Sequence, residues 1–245
     1  MNEPIDLPLA ALATIAEREG AGELHMVLRP EAMWLSDNDR EAAARTAQEA
    51  LVAAGLLDGR GRLDVDFLDW LPVLTMPNAE CYGWYTVDGE TRGALAAARG
   101  LEGVLAIRSG DRVRLTAVNR DLLAEALVAE LPEVVPGGGT PWSVSLEELR
   151  DAGDGRRAVD RRLSRHLAEV VKVVQRPVHG SGELYAATRD EVGRRSQTVD
   201  PLHYVDTDWG RYLNHTSGTG AGARLNIAPA TPSALAATLR GLHRS

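Results

Sequence analysis

Between residues 78 and 131 apolar and polar positions alternate in a way that predicts four short strands followed by a helix. Residues 79–87 are rich in β-branched and aromatic types and end at Asp88-Gly89, a dipeptide suited to a type I′ turn because both residues must take positive φ. A second strand over 91–98 follows directly, a looser turn at 99–103 leads to a third over 104–108, and Ser109-Gly110-Asp111 turns into a fourth over 112–118. In that fourth strand Val113, Leu115 and Ala117 alternate with Arg112, Arg114 and Thr116, so one face is expected to be buried and the other wet. Asn119 or Asp121 is expected to cap a helix whose Leu123, Leu127 and Leu131 share a stripe, with Pro132 ending it.

A looser copy of this pattern runs over 178–242. Pro177 lies 100 residues after Pro77, and at the same offset Tyr185 matches Tyr85 while Leu184 replaces Trp84. Strands are expected over 182–187, 194–199 and 202–207, then a polar gap, a strand over 224–228 and a helix. Thr231-Pro232 opens that helix as cap and first-turn proline, and Leu235, Leu239 and Leu242 form its stripe. Upstream, Ile5-Asp6-Leu7-Pro8 leading into Leu9, Leu12 and Ile15 echoes Val144-Ser145-Leu146-Glu147 leading into Leu149. The chain reads as a duplicated unit.

Elsewhere, a first helix is expected over 7–19, ended by Gly20, and a strand over 24–28. Ser36 with Asp39 resembles a capping box for a helix striped by Ala43, Ala47, Ala50, Leu51 and Ala54 until Gly55. Asp64 starts a shorter helix bearing Leu68 and Leu71, interrupted at Pro72. Pro136-Gly137-Gly138-Gly139 marks a linker over 133–142 between an N-terminal half, 1–132, and a C-terminal half, 143–245. A long amphipathic helix is expected over 154–176, its arginine-rich face (Arg156, Arg157, Arg161, Arg162, Arg165) reading as solvated.

Composition narrows the function. The formal charge is −8 and the basic residues are scattered, which argues against nucleic acid. At 245 residues a chain buries roughly 70–75% of its unfolded surface, so neither disulfide nor metal is needed for stability. Cys81 is the only cysteine and its strand setting reads as a buried thiol. The N-terminus lacks a basic n-region with an apolar core, and no apolar run approaches the roughly 18 residues of a membrane span, so a soluble, cytoplasmic protein without membrane partners is expected.

Chemistry-bearing constellations are scarce. Ser217-Gly218-Thr219-Gly220-Ala221-Gly222 resembles a nucleotide loop, but a strand follows where a pyrophosphate site needs a helix N-terminus. Asp206 and Asp208, near His203, have a spacing seen in metal or acid–base pairs, yet turn and capping roles fit them better. Tyr204 and Asp208 match a Tyr-x-x-x-Asp export signal, without the accompanying Trp-x-Gly turn. No histidine pair has ligand spacing and no serine lies in a Gly-x-Ser-x-Gly elbow. Neither catalytic nor metal residues nor a cofactor is expected; the alternative is a small-molecule or nucleotide-using enzyme built around 217–222. Tyr82 and Trp84 project opposite to Cys81, Gly83 and Tyr85, so either helices cover both sets or one aromatic set is open to a protein partner.

The C-terminal run Asp206-Thr207-Asp208-Trp209-Gly210-Arg211-Tyr212-Leu213, followed after a glycine-bearing gap by Leu225-Asn226-Ile227-Ala228-Pro229-Ala230, resembles the EspG family. So do residues 55–63 after an alanine-rich helix, Ala94 to Gly100, and Leu123 to Leu127. The resemblance implies an α+β fold in which two pseudo-two-fold related halves share a central antiparallel β-sheet flanked by helices. It further implies a cytosolic chaperone of type VII (ESX) secretion that binds a PE/PPE-like helical client and keeps it soluble, with an oligomer compatible. In mycobacterial members the loop after the first strand of the sheet is long, whereas Asp88-Gly89 leaves almost none. No family contact residue is matched to a numbered position here. Exposure arguments nominate Tyr82, Trp84, Leu95, Trp209, Arg211 and Tyr212 as partner-binding.

Overall fold

Ile5 and Leu7 turn inward from a short edge strand, β1 (Ile5–Pro8), and Pro8 passes the chain directly into α1 (Leu9–Arg18), whose Leu9, Leu12, Ile15 and Ala16 are buried. The structure, a computed structural model, describes residues 3–30, 37–58, 60–153 and 165–242. After α1 come α2 (Asp37–Ala53) and α3 (Val65–Thr75), then the meander β2 (Ala79–Val87), β3 (Glu90–Arg99), β4 (Glu102–Ser109) and β5 (Arg112–Ala117), and α4 (Leu123–Val128). The second part holds β6 (Trp142–Ser145), α5 (Leu146–Gly153), α6 (Arg165–Val174), β7 (Val178–Arg189), β8 (Arg195–Gln197), β9 (Leu202–Thr207), β10 (Gly210–Ser217), β11 (Arg224–Pro229) and α7 (Pro232–Gly241).

All the strands join one antiparallel sheet in the order β1-β5-β4-β3-β2-β7-β9-β10-β11-β6, with β8 added to β7. Outward from the β2–β7 join, each side adds its strands in sequence order and ends on the strand that opens its half, β1 or β6. The echo between Ile5-Asp6-Leu7-Pro8 and the Val144 segment marks these two edge strands, each running into a helix. Strand alternation sorts the core into layers. On the front face α1, α2 and α3 cover the first-half strands, burying Phe67, Trp70, Val104 and Leu115. Farther along that face α5 and α6 cover the outer second-half strands around Trp142, Val170 and Ile227. On the back, α4 and α7 lie across the middle and bury Ala96, Leu184, Leu127 and Leu235.

Several local expectations hold for the expected reason. Asp88 (φ 52°) and Gly89 (φ 80°) both take the left-handed conformation of the two-residue hairpin. Thr231 Oγ1 accepts from Ala234 N at 3.1 Å to cap α7, and Asp64 Oδ1 accepts from Phe67 N at 3.1 Å to cap α3.

Others need correction. The strand expected over 24–28 is a 3₁₀ turn, Met26–Leu28, fixed by His25 Nδ1 accepting from Val27 N, because its Val27 packs down onto the sheet face rather than pairing with an edge. Pro72 sits inside α3, which continues to Thr75 because Trp70, Leu71, Val73 and Leu74 are all buried. Asn119 Oδ1 accepts from Asp121 N and makes a turn, while α4 starts later with no side-chain cap. In the second part, β10 occupies half of the expected polar gap, and 194–199, expected as a full strand, contributes only the short added strand β8. The 100-residue offset also fails: Tyr85 points to the back layer and Tyr185 to the front, so these two tyrosines do not match. The capping box at Ser36 and the helix start at Asp154 lie outside the described residues, which pick that helix up at Arg165.

Candidate docking face

The middle of the front face lies between the two helical packs, and there the register lines up one row of side chains across the sheet. Trp84 is opposite Glu183, Glu183 opposite His203, and His203 opposite Asn214. These side chains are half-buried or exposed, whereas the neighbouring outer strands turn theirs into helices. A shallow cavity of about 300 Å³, lined among others by Ser181, Glu183, His203, Val205 and Asn214, marks the second-half side of the row. At its first-half end Tyr82 and Tyr185 stack across the β2–β7 join with centroids 5.3 Å apart, and Trp84 stands nearly perpendicular to Tyr185 at 6.3 Å. Such rings in edge and offset contact form a rigid apolar floor.

A buried charged group underlies that floor. Arg195, from β8, places Nε 2.7 Å from Glu80 Oε1 and lies over the Tyr82 ring at 5.5 Å, while His25 meets the same ring edge-on at 4.7 Å. His25 Nε2 is 3.6 Å from Glu80 Oε2, and both side chains are almost fully buried. Burial first, then the Arg195 and Arg29 charges, lowers the His25 pKa to about 3, while burial pushes the Glu80 carboxyl up against the pull of Arg195.

The His25 shift has a sign. A group whose folded pKa is depressed stabilises fully above its unfolded value and loses that contribution as pH falls toward the folded value. Acidification from pH 7 to pH 5 is therefore expected to cost wild type about 2 kcal/mol through His25 alone. The stability difference between wild type and His25→Asn, measured by urea melts at both pH values, should narrow by that amount. A gap independent of pH would mean that His25 is not held neutral.

Four of the six nominated partner residues are inside the protein. Tyr82, Leu95, Arg211 and Tyr212 are all at most 3% exposed and have no surface to offer. Tyr82 and Leu95 face the front-layer core. Arg211 makes two bonds to Asp206, at 2.6 and 2.8 Å, and donates to the Pro132 carbonyl at 2.9 Å. The Tyr212 hydroxyl donates to the Gly138 carbonyl at 3.0 Å. With Pro136 bridging to Arg211, these contacts fasten the glycine-rich crossing segment, read from the sequence as a linker, along β10. Trp84 is half-buried on the open row; Trp209, 43% exposed, sits at the β9–β10 turn under the Arg176 guanidinium, 4.4 Å from its ring.

The carboxylates weighed for chemistry are engaged structurally: Asp206 with Arg211, and Asp208 with Arg176 Nε at 2.8 Å. Cys81 is buried, its thiol pushed up to about 12 by burial. The 217–222 run turns β10 into β11 through a single 3₁₀ turn over Gly220–Gly222, and a strand follows it where a pyrophosphate site needs an α-helix. Among the described residues no group of three or more His, Cys, Asp or Glu could hold a metal, and no helix is long and apolar enough to cross a membrane. Sequence reasoning passed over Glu183, His203 and Asn214 as a set, because only the register across β2, β7, β9 and β10 makes them neighbours.

Residues 8–241 match the EspG family. No curated protein matches the chain. Among solved structures, the Mycobacterium tuberculosis type VII secretion system chaperone EspG5, determined in complex with a PE25-PPE41 dimer, has a similar fold. The TM-score is 0.73 over 98% of this chain and 95% of that one, at 15% sequence identity.

Proposed function

The chain belongs to the EspG family, and from that premise we propose that it is a cytosolic chaperone that binds a PE/PPE-like helical client and keeps it soluble for type VII secretion. It works by binding and not by chemistry. One observation of this chain carries the reading: a strip of sheet that no described helix covers, with an aromatic floor, set between two helical packs that form its walls. A helix end laid on such a strip buries apolar surface on three sides, a groove mode that needs no cofactor. Residues 1–132 and 143–245 are taken as halves related by a pseudo-two-fold, joined by 133–142. Of the nominated contacts, Trp84 and Trp209 remain.

Co-expression with a helical PE/PPE-like pair from the same genome should give a soluble complex that survives gel filtration; a pair equally soluble alone and never co-eluting would refute the reading. Within that complex Trp84→Ala is expected to weaken binding by about 2 kcal/mol, roughly 30-fold. Since Trp84 also touches Tyr82 and Tyr185, the variant should lose about 1 kcal/mol of stability. Calorimetric titration alongside a thermal melt separates the two effects.

A further inference from the structure

Three times among the described residues an arginine guanidinium lies over an aromatic ring while pairing with a carboxylate: Arg195 over Tyr82 with Glu80, Arg176 over Trp209 with Asp208, and Arg211 over Tyr204 with Asp206. The open row holds a fourth set of rings and carboxylate, Trp84, Tyr185 and Glu183, and among the described residues no arginine or lysine pairs with Glu183. We propose that this set receives an arginine or lysine side chain from a docked helical partner, with Glu183 as counter-charge and the Trp84 and Tyr185 rings as walls. The inference rests on the client-binding reading for the source of that side chain.

Geometry and exposure support it. Glu183 is directly across the β2–β7 join from Trp84 and next but one to Tyr185 on the same strand face. Its side chain is 55% exposed. Its present contacts are weak: the Tyr185 hydroxyl donates at 3.3 Å and His203 Nδ1 stands 3.8 Å away. A carboxylate accepts roughly four hydrogen bonds, so most of its capacity is unused by the described residues. Ring faces attract cations, more strongly when the site is partly desolvated, as it becomes once a helix covers the strip. A guanidinium placed there would also continue the arrangement one step inward, where Arg195 already covers Tyr82. An acidic partner residue would instead meet Glu183 at close range and be repelled.

The test has two arms. In the first, N-acetyl-arginine amide is titrated into the isolated protein and followed by NMR at the Trp84 indole N–H and the Tyr185 ring, with the neutral isostere N-acetyl-citrulline amide as control. Both sites should shift with the arginine probe only, and Glu183→Gln should weaken that response at least ten-fold while Leu101→Ala, on the exposed β3–β4 turn, leaves it unchanged. Equal shifts with both probes, shifts confined to other sites, or no shift at all would overturn the proposal. In the second arm, Glu183→Gln is compared with wild type for binding of a co-purifying PE/PPE-like pair, where a ten-fold loss is expected. Unchanged pair binding by Glu183→Gln overturns the cation site but leaves the chaperone reading intact. A normal arginine response from a protein that captures no pair does the reverse.

Discussion

Gly83→Ala is expected to destabilise the protein by about 4 kcal/mol or more, near the top of the range for single substitutions. Gly83 lies on β2 at the join between the two parts of the sheet, opposite Leu184 of β7. A Cβ built there comes within 2.0 Å of the Glu183 carbonyl oxygen and 3.0 Å of the Leu184 Cα. These are backbone atoms, so no rotamer change relieves the contact. The strands must separate instead, weakening the β2–β7 ladder and shifting Trp84 and Glu183 on either side of it. For a protein of this size each kcal/mol lowers the melting temperature by about 2–4 °C, so a drop of roughly 10 °C is expected by calorimetry. Gly222→Ala, with nothing within 4 Å of the added methyl, is the control and should stay within about 0.5 kcal/mol of wild type. A melting temperature for Gly83→Ala equal to that of the control would show the join to be looser than described.

How far the sequence foretold this architecture depends on whether the signal was local. Asp88-Gly89 was legible because two consecutive positive φ values select few residues, and Thr231-Pro232 because a cap and a first-turn proline act within one turn. β10 was hidden because its Tyr212 and Leu213 are both buried, one under each face, while Asn214, His215, Thr216 and Ser217 read as a polar gap. The same two-sided covering misled the site reading. Alternation says that Tyr82 and Leu95 share a face, but not whether helices lie on it, and here the core under α1–α3 buries Tyr82 fully and Trp84 only in part. Arg211 was misjudged because arginine is rarely buried unless paired, and its partners Asp206 and Pro132 are distant from it in role or in sequence. The docking row needed four strands in register, and a shift of one residue in any of them would have moved its member to the back face.

That buried arginine gives the other large expected effect. Arg211→Met should cost about 3–5 kcal/mol, because it leaves a carboxylate in the interior without its counter-charge. Asp206 and Arg211 are 7% and 3% exposed at their side chains, and Asp206 accepts both of its short bonds from this one guanidinium. Removing the cation also abandons the Pro132 carbonyl, one of the points where the crossing segment is fixed to β10. Arg211→Met combined with Asp206→Leu should recover much of the loss, since an apolar pair of similar volume carries no desolvation cost. If the double variant is no more stable than Arg211→Met alone at pH 7, the loss comes from freeing the crossing segment at Pro132, and the ion pair matters less than the backbone contact it shares.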